Sequence, residues 1–421
     1  MNEINYELET RLIKLYGSNS SVIGYQKERY LKLVSKYENL FGKDELMFIS
    51  TPGRTELSGN HTDHNNGIVL AASINLDSVA ACSVNSNNVV SIHSEGYDEL
   101  IKVDLNLLNP QINEEGATSA LVRGIASRFK ELGYKIGGFN AVITSDVLQG
   151  SGLSSSASIE VLIGTIFNAL YNDSKIQPEI IAQIGQYSEN VFFGKPCGLM
   201  DQMACAIGGI IKIDFADNAN PQFENIDFSF DEFGYQLLVV DCGEGHDNLT
   251  DEYASIPTEM KSVAKEFGKD VLRELEVASL NKNIKKLRDT VGDRAILRAI
   301  HFLKENERVE KQYKSLKTKN ITEFLNLVNE SGNSSFKYLQ NIFPTSDPSN
   351  QPISLALSIT EDFIYNIGSG ACRVHGGGFA GTIQVFIPKN LVADYTEIVE
   401  SVFGKNSVKP LEIREFGSYI L

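Results

Sequence analysis

A short glycine- and serine-rich stretch constrains this chain more than any other part of its sequence. It spans residues 150–158 and reads GSGLSSSAS. A strand-like run precedes it from Phe139, and apolar residues recur at helical spacing after it, from Ile159 to Leu170. Glycines let the backbone approach a ligand closely, while the N–H groups and positive dipole end of the helix face an anion. The stretch therefore predicts a phosphate site, although a serine-capped helix after a tight turn has the same pattern.

The overall composition excludes some classes of partner. Of the 421 residues, 54 are acidic and 38 are basic, which gives a net charge of −16. A nucleic-acid partner requires a basic face, so we expect none. The N-terminus has no signal-peptide pattern and no apolar run approaches the ~18 residues of a membrane span, so we expect no membrane association. The five cysteines follow no metal-binding spacing, which predicts reduced thiols in a cytoplasmic protein.

Two further stretches combine glycines with unusual neighbours. Residues 52–67 read PGRTELSGNHTDHNNG, which packs ionisable and amide groups between glycines. Its histidines, His61 and His64, are three residues apart, but no third ligand cluster supports a metal site there. Three successive glycines, residues 376–378, precede a strand-like run at 382–387 and predict close backbone approach to a ligand. A solvated turn and a flexible hairpin are the simpler interpretations of these two stretches.

The polar segment 216–235 is the best candidate for a domain boundary. It is rich in Asp and Asn, and it separates a first half of mixed strands and helices from a second half with a long charged helical section at 250–331. In the first half we expect helices at 25–41, 117–133 and 178–193, and strands at 46–50, 68–105, 139–144 and 210–215. The predicted domains are residues 1–215 and 216–421.

The common phosphate-binding motifs do not explain residues 150–158. GxxxxGK[ST] is absent, the protein-kinase strings are absent, and Ser155 breaks the GxGxxG pattern. A phosphoryl transferase of another class needs a phosphate cradle, a carboxylate for magnesium, a group near the acceptor hydroxyl and a cation. Glu189, Asp201 and Arg54 would supply the last three if the fold brings them together. Glu189 is otherwise a surface helix residue, and Asp201 a helix N-cap.

Four stretches in this order resemble the galactokinase branch of the GHMP small-molecule kinases. The stretch from residue 53 is similar to the family signature GRxNLIGEHTDYNxGxVLP, and residues 150–158 are similar to the phosphate loop PxGxGLSSSA. Residues 198–202 and 376–381 are similar to the family's GIMDQ and GGGFGG segments. The resemblance implies an α+β, two-domain GHMP kinase fold with the active site in the inter-domain cleft.

The resemblance also implies a chemistry and a set of site residues. It implies an ATP- and Mg²⁺-dependent kinase that binds only small molecules and phosphorylates the anomeric hydroxyl of galactose. The oligomeric state stays open, with a monomer expected. The implied residues are Asp201 and Arg54 for catalysis; Asn60, His61, Asp63 and Tyr253 for the sugar; Gly150, Ser151, Gly152, Leu153, Ser154, Ser155 and Ser156 for ATP; and Ser156 and Glu189 for the metal.

The first stretch departs from the family signature at five positions, Glu56, Ser58, Asn60, His64 and Ala71, of which Asn60 bears on the sugar. Asn60 stands where the family has the Glu that contacts the sugar's far hydroxyl, and Glu56 stands where the family has Asn. Because Asn60 is neutral, a galactose derivative such as galacturonate or N-acetylgalactosamine stays open as the substrate. A non-catalytic sugar and ATP sensor is a further alternative.

Overall fold

Two β-sheets organise the chain in the computed structural model, which describes residues 2–147, 152–195, 197–243, 249–379 and 381–421. Among these residues the strands are β1 Met47–Ser58, β2 Ile68–Val84, β3 Val89–Ser94, β4 Ile101–Asp104, β5 Phe139–Ser145, β6 Ile210–Asp214, β7 Gln222–Ile226, β8 Tyr235–Asp241, β9 Ala371–Val374, β10 Thr382–Pro388, β11 Val408–Leu411 and β12 Tyr419–Ile420. The helices are α1 Asn2–Tyr16, α2 Ser20–Phe41, α3 Thr118–Glu131, α4 Ser155–Tyr171, α5 Pro178–Ser188, α6 Met200–Ile207, α7 Thr250–Glu266, α8 Val277–Thr290, α9 Asp293–Lys317, α10 Ile321–Ser334, α11 Pro352–Ile367 and α12 Val392–Phe403.

The larger sheet takes strands from both ends of the chain. Its order is β12-β1-β2-β5-β3-β4, and β6 and β7 extend it from β2. The β3–β5 pair is parallel and the other pairs are antiparallel. The smaller sheet, β11-β8-β10-β9, comes from the second half alone. Since β7 and β12 join the larger sheet from beyond residue 215, the division into residues 1–215 and 216–421 stays a prediction.

Helices cover both faces of the larger sheet. Ala80 and Cys82 on β2 pack into the core formed with α3, α4, α5 and α6, while Val79 and Ala81 pack against α1 and α2. Because successive strand residues point to opposite faces and both faces are covered, β2 is buried along most of its length instead of alternating between buried and exposed residues. In the described parts of the chain, no helix combines the length and apolar character needed to cross a membrane.

Most of the expected elements are present, with two informative differences. The helix expected after residue 158 is confirmed as α4, which is buried along most of its length and so fixes the position of its own N-terminus. The strand expected at 46–50 continues to Ser58, with polar side chains that are buried rather than solvated. The polar segment 216–235 contains β7, an unexpected strand that pairs only with β6 and is largely exposed. A largely exposed edge strand lacks the alternation of apolar and polar residues from which strands are recognised in a sequence.

Asp77 on β2 is fully buried between two arginines. Arg29 Nη1 on α2 donates to Asp77 Oδ1 at 2.6 Å, and Arg414 Nη1 donates to Oδ2 at 3.0 Å. The Tyr16 hydroxyl also donates to Oδ2, at 2.6 Å. Burial alone would raise the pKa of Asp77, but the two guanidinium groups outweigh burial and lower it. These bonds tie α1, α2 and the C-terminal segment to the same strand.

We expect Asp77→Asn to lower the free energy of unfolding at pH 7 by about 3–5 kcal/mol, because it removes the carboxylate that pairs with the buried Arg414 and leaves the buried Arg29 with the partly exposed Asp146. Urea unfolding followed by circular dichroism measures the loss. Asp173→Asn, at an exposed carboxylate, is the matched control and should leave the urea midpoint unchanged.

The same pair of variants has an expected pH dependence. The folded-state pKa of Asp77 lies below its unfolded value, so its stabilisation is fully present above the unfolded pKa of about 3.9. It is lost as the pH falls through the folded-state pKa. The difference between wild type and Asp77→Asn should therefore shrink in strong acid, and equal stability at pH 7 would contradict this role of Asp77.

Candidate active site

Arg54 and Asp201 meet in a bidentate ion pair. Arg54 lies on β1 and Asp201 in the first turn of α6. Arg54 Nε lies 2.6 Å from Asp201 Oδ1, and Nη2 lies 2.6 Å from Oδ2. The arginine side chain is 7% exposed and the aspartate side chain 30%, so the carboxylate keeps an open edge that a ligand can reach. Two residues that the sequence predicts separately are thus brought together.

Asp201 is held in its ionised form. Burial by itself would raise its pKa, but the Arg54 guanidinium outweighs burial and lowers the pKa below its ordinary value. The Ser154 hydroxyl donates to Asp201 Oδ2 and acts in the same direction. A fixed carboxylate of this kind accepts a hydrogen bond well, and it is a weak base because its conjugate acid is strong.

The phosphate loop lies directly against β1 and Arg54. The Arg54 backbone N–H donates to the Leu153 carbonyl at 3.1 Å, and Arg54 Nη1 donates to the Gly152 carbonyl. Ser154 has left-handed backbone angles, with φ of 59°, and its hydroxyl does not cap α4. The first N–H groups of that helix, at Ser155, Ser156 and Ala157, have no acceptor among the described residues. A helix N-terminus of this kind is an anion site.

Two predicted ATP-loop residues, Gly150 and Ser151, lie outside the described residues. Leu148, which stands where the family loop begins with Pro, also lies outside them. The rest of the loop, from Gly152 to Ser156, has the position just described.

Ser156 and Glu189 form the predicted metal-side pair. The Ser156 hydroxyl donates to Glu189 Oε1 at 3.4 Å, and Glu189 begins a π-helical turn, Glu189–Phe193, that continues α5. Mg²⁺ prefers oxygen ligands and is usually bound by one or two protein groups together with substrate phosphates. A hydroxyl and a carboxylate beside a phosphate loop fit that preference.

Three residues around Glu189 are not found by the sequence patterns. Gln202 Nε2 donates to Glu189 Oε2 at 3.1 Å and to Glu160 Oε2 at 2.9 Å, and Lys195 Nζ lies 3.6 Å from Glu189 Oε1. Burial, with the Glu189 charge, raises the pKa of Glu160 well above its ordinary value. Gln202 could have been suspected, because it follows Asp201 in the GLMDQ segment; Glu160 and Lys195 carry no such signal.

Asp63 lies against the same turn that carries Asp201. A Cβ atom on Gly198 would overlap the Asp63 carboxylate, so any larger residue there would have to displace that side chain. The His64 backbone N–H donates to Asp63 Oδ1 at 2.9 Å. The first polar stretch and the GLMDQ segment therefore converge, as the resemblance implies.

The glycine loop, Gly376–Gly378, contacts three of the predicted sugar residues. Asn60 Nδ2 donates to the carbonyl of Gly376 at 2.6 Å, and the Tyr253 hydroxyl donates to that of Gly378 at 2.9 Å. His61 Nε2 lies 3.0 Å from the carbonyl of Gly377. Burial, reinforced by His64, lowers the pKa of His61 to about 3. His61 is therefore neutral, and its Nε2–H donates to this carbonyl, which can only accept.

The four sugar residues differ in accessibility. Asp63, His61 and Tyr253 are partly exposed, whereas Asn60 is fully buried. Gly376 also touches the phosphate loop, since a Cβ on Gly376 would lie 3.8 Å from the Gly152 Cα. All four stretches singled out by the sequence therefore surround one cleft.

A cavity of about 570 Å³ continues from the phosphate loop. It is lined by residues of α4, the end of β5, the turn near Tyr97 and α2, including Ser155, Ile159, Ser145 and Tyr25. Its volume suits a small organic ligand. A cavity of about 630 Å³ between β7, β8 and β11 is lined by none of the predicted residues, so volume alone does not mark the site.

Two family models match the sequence in the regions that build this cleft. The model for the GHMP kinases N terminal domain matches residues 120–209, and the galactokinase galactose-binding signature matches residues 35–84. A galactokinase from Streptomyces coelicolor is 29% identical over 383 residues, which cover 90% of this chain and 94% of the relative. A galactokinase from Staphylococcus carnosus is 27% identical over 374 residues, which cover 88% and 92%.

The fold is also similar to that of a solved galactokinase. The structure of Lactococcus lactis galactokinase complexed with galactose superposes with a TM-score of 0.80 and 25% identity, over 93% of this chain and all of that chain. The expected α+β GHMP kinase fold is confirmed. Fold, ordered motifs and relatives agree, and this chain is similar to the galactokinases of the GHMP kinases over about nine-tenths of its length.

Proposed function

We propose that this chain is an ATP-dependent galactokinase, which transfers the γ-phosphate of ATP to the anomeric hydroxyl of galactose and releases galactose 1-phosphate and ADP. One observation carries the proposal: the Arg54–Asp201 ion pair contacts the phosphate loop directly, through Gly152 and Ser154. The galactokinase relatives match about nine-tenths of the chain. They do not favour the galactose derivatives or the non-catalytic sensor.

We assign the phosphate-donor side to the phosphate loop and the adjoining cavity. The N–H groups at the start of α4, which have no acceptor among the described residues, would bind the phosphates, and the cavity of about 570 Å³ would take the nucleoside. Ser156 and Glu189 would hold Mg²⁺, which would neutralise charge on the phosphates. The contacts of the phosphate loop with ATP would then determine the position of the γ-phosphate.

We assign the acceptor side to Asp201 and Arg54. Asp201 accepts a hydrogen bond from the anomeric hydroxyl and so orients the hydroxyl oxygen towards the γ-phosphorus. As the new O–P bond forms and the bond from phosphorus to the bridging oxygen breaks, the hydroxyl proton passes to Asp201. Because the pKa of Asp201 is low, its main contribution is orientation, and it receives the proton late. Arg54 keeps the carboxylate in place and balances the developing negative charge.

We assign recognition of the sugar to Asp63, His61 and Tyr253, which keep accessible surface in the cleft. Sugar hydroxyls both donate and accept hydrogen bonds, so a fixed carboxylate such as Asp63 can bind them with defined direction. The cysteines Cys82, Cys197, Cys205, Cys242 and Cys372 have no disulfide partner. That supports a reducing compartment, and we propose the cytoplasm.

A sugar panel tests the proposed function. Purified protein with ATP and Mg²⁺ should give its highest kcat/KM with galactose, compared with galacturonate and N-acetylgalactosamine, in a coupled assay for ADP. If galactose produced no ADP while another sugar reacted well, the assignment of the substrate would be wrong.

We expect Asp201→Asn to lower kcat by ~10²–10⁴-fold, because the amide can no longer accept the proton and no longer pairs ionically with Arg54. ATP binding, measured by titration of a fluorescent analogue, should change little. Asp217→Asn, at an exposed aspartate, is the control. A variant with nearly full kcat would remove Asp201 from the mechanism.

Gly198→Ala tests the place of Asp63. The added Cβ must displace the Asp63 carboxylate. We expect kcat/KM for galactose to fall by about 10–100-fold, since a hydrogen bond to a charged group is worth about 1.5–3 kcal/mol. The KM for ATP should not change.

Gly24→Ala is the matched control for this substitution, because nothing lies near the position of its Cβ and its φ is not positive. It should leave both kinetic constants unchanged. An unaltered kcat/KM in Gly198→Ala would mean that Asp63 does not bind the sugar.

A further inference from the structure

Glu56 and Asn60 exchange the amide and the carboxylate of the family signature, and the two side chains contact each other. Asn60 Nδ2 lies 3.2 Å and 3.3 Å from the two carboxylate oxygens of Glu56. The exchange moves the negative charge onto Glu56, which forms a buried ion pair with Arg373 on β9. The charge is therefore balanced inside the protein, and the position where the family has Glu is neutral.

Asn60 has no hydrogen-bonding capacity left for a sugar. It is fully buried, and its Nδ2 donates to Gly376 and Glu56. Its Oδ1 accepts from Asn341 Nδ2 at 2.8 Å and from the Ser335 hydroxyl at 3.4 Å. A carboxamide offers two donors and two acceptor sites, so all four are used within the protein. This favours a supporting role for Asn60 over a sugar contact.

Asn341 is the residue that joins Asn60 to the glycine loop. It follows a π-helical turn, Ser335–Leu339, and is fully buried. Its Nδ2 donates to Asn60 Oδ1 and to the Gly377 carbonyl, the second at 3.1 Å. Because both partners are acceptors, the orientation of the amide is determined. The backbone carbonyl of Asn341 accepts a hydrogen bond from the Phe379 N–H at 2.6 Å, so the side chain and the backbone of Asn341 both hold the loop.

The glycine loop is held in place by hydrogen bonds to its backbone carbonyls. The carbonyls of Gly376, Gly377 and Gly378 all accept hydrogen bonds from side chains, whereas the three N–H groups have no acceptor within the described ranges. Successive free N–H groups in a glycine turn form a concavity suited to anions. Gly378 packs so closely on Asn341 that a Cβ atom would overlap the Asn341 carbonyl.

We propose that Asn341 is a positioning residue for phosphoryl transfer: its amide couples Asn60 to Gly377 and sets the glycine loop beside the phosphate loop. This inference rests on the proposed function. Without the amide, Gly377 loses one of its donors and Asn60 Oδ1 keeps only the longer contact to Ser335. A displacement of ~1 Å in a residue that positions the reacting groups can lower the reaction rate by up to ~10²-fold.

Two substitutions of Asn341 test the proposal. Asn341→Asp keeps the shape of the side chain but places a carboxylate oxygen against two acceptors, and Asn341→Ala removes the amide. Both should lower kcat by ~10–100-fold with a smaller change in galactose KM, because Asn341 itself makes no proposed sugar contact. Asn333→Ala, at an exposed amide on α10, is the matched control and should behave as wild type.

The double variant Asn60→Ala/Asn341→Ala separates coupling from independent effects. If the two amides act as one unit, its kcat should be no lower than that of the worse single variant. Additive losses would contradict the coupling. A rise in galactose KM larger than the fall in kcat in the Asn341 variants would contradict a positioning role in phosphoryl transfer, and so would a wild-type kcat in both.

Hydrogen–deuterium exchange of the ligand-free protein gives a readout that needs no turnover. The peptide containing the glycine loop should exchange faster in both Asn341 variants than in wild type and Asn333→Ala. Unchanged exchange would overturn the proposed support of the loop. This result stands even if galactose proves not to be the substrate, so the two proposals fail separately. Thermal unfolding of each variant identifies a global folding defect. Because Asn341→Ala adds no charge, it keeps the test valid if the charge added by Asn341→Asp destabilises the fold.

Discussion

The buried guanidinium of Arg54 is the group on which the rest of the site depends. A charged group removed from water must find acceptors for its N–H donors, or its burial becomes very costly. Asp201 and the Gly152 carbonyl supply them. Through these bonds the strand that carries Arg54 acquires a fixed position relative to a loop 98 residues further along the chain and a helix N-terminus 147 residues further along. The requirement that stabilises the arginine also places an ionised carboxylate beside a phosphate site.

The two sheets meet through a second set of buried polar contacts. Arg373 on β9 pairs with Glu56 on β1, and Gln384 on β10 donates to Thr55 and to the Glu56 carbonyl. His375 lies between β1 and the smaller sheet; burial, with Arg54 nearby, lowers its pKa well below the ordinary value, so the ring is neutral. Apart from the Glu56–Arg373 pair these contacts are uncharged, which suits a cleft that must bind a charged nucleotide.

The sequence predicted the residues that carry the chemistry of the cleft better than the residues that hold them in position. Arg54, Asp201 and Ser156 each lie in a distinctive stretch, whereas Glu189 was expected from its place late on the next helix and from the family resemblance. The structure pairs Arg54 with Asp201 and Ser156 with Glu189. Asn341 was not found, because it comes from a segment without a motif and acts only through the fold. The polar run after Pro52 was expected to be a loop, since a buried strand of polar residues cannot be recognised until the partners that satisfy them are known.

The central claim is that Asp201 and the phosphate loop direct a phosphoryl group from ATP onto the anomeric oxygen of galactose. Proton-coupled ³¹P NMR of the reaction mixture tests this most directly. The account predicts one new phosphate resonance, coupled to the anomeric proton and formed in equal amount with ADP. A phosphate on any other hydroxyl, or ADP formed with only inorganic phosphate, would contradict it.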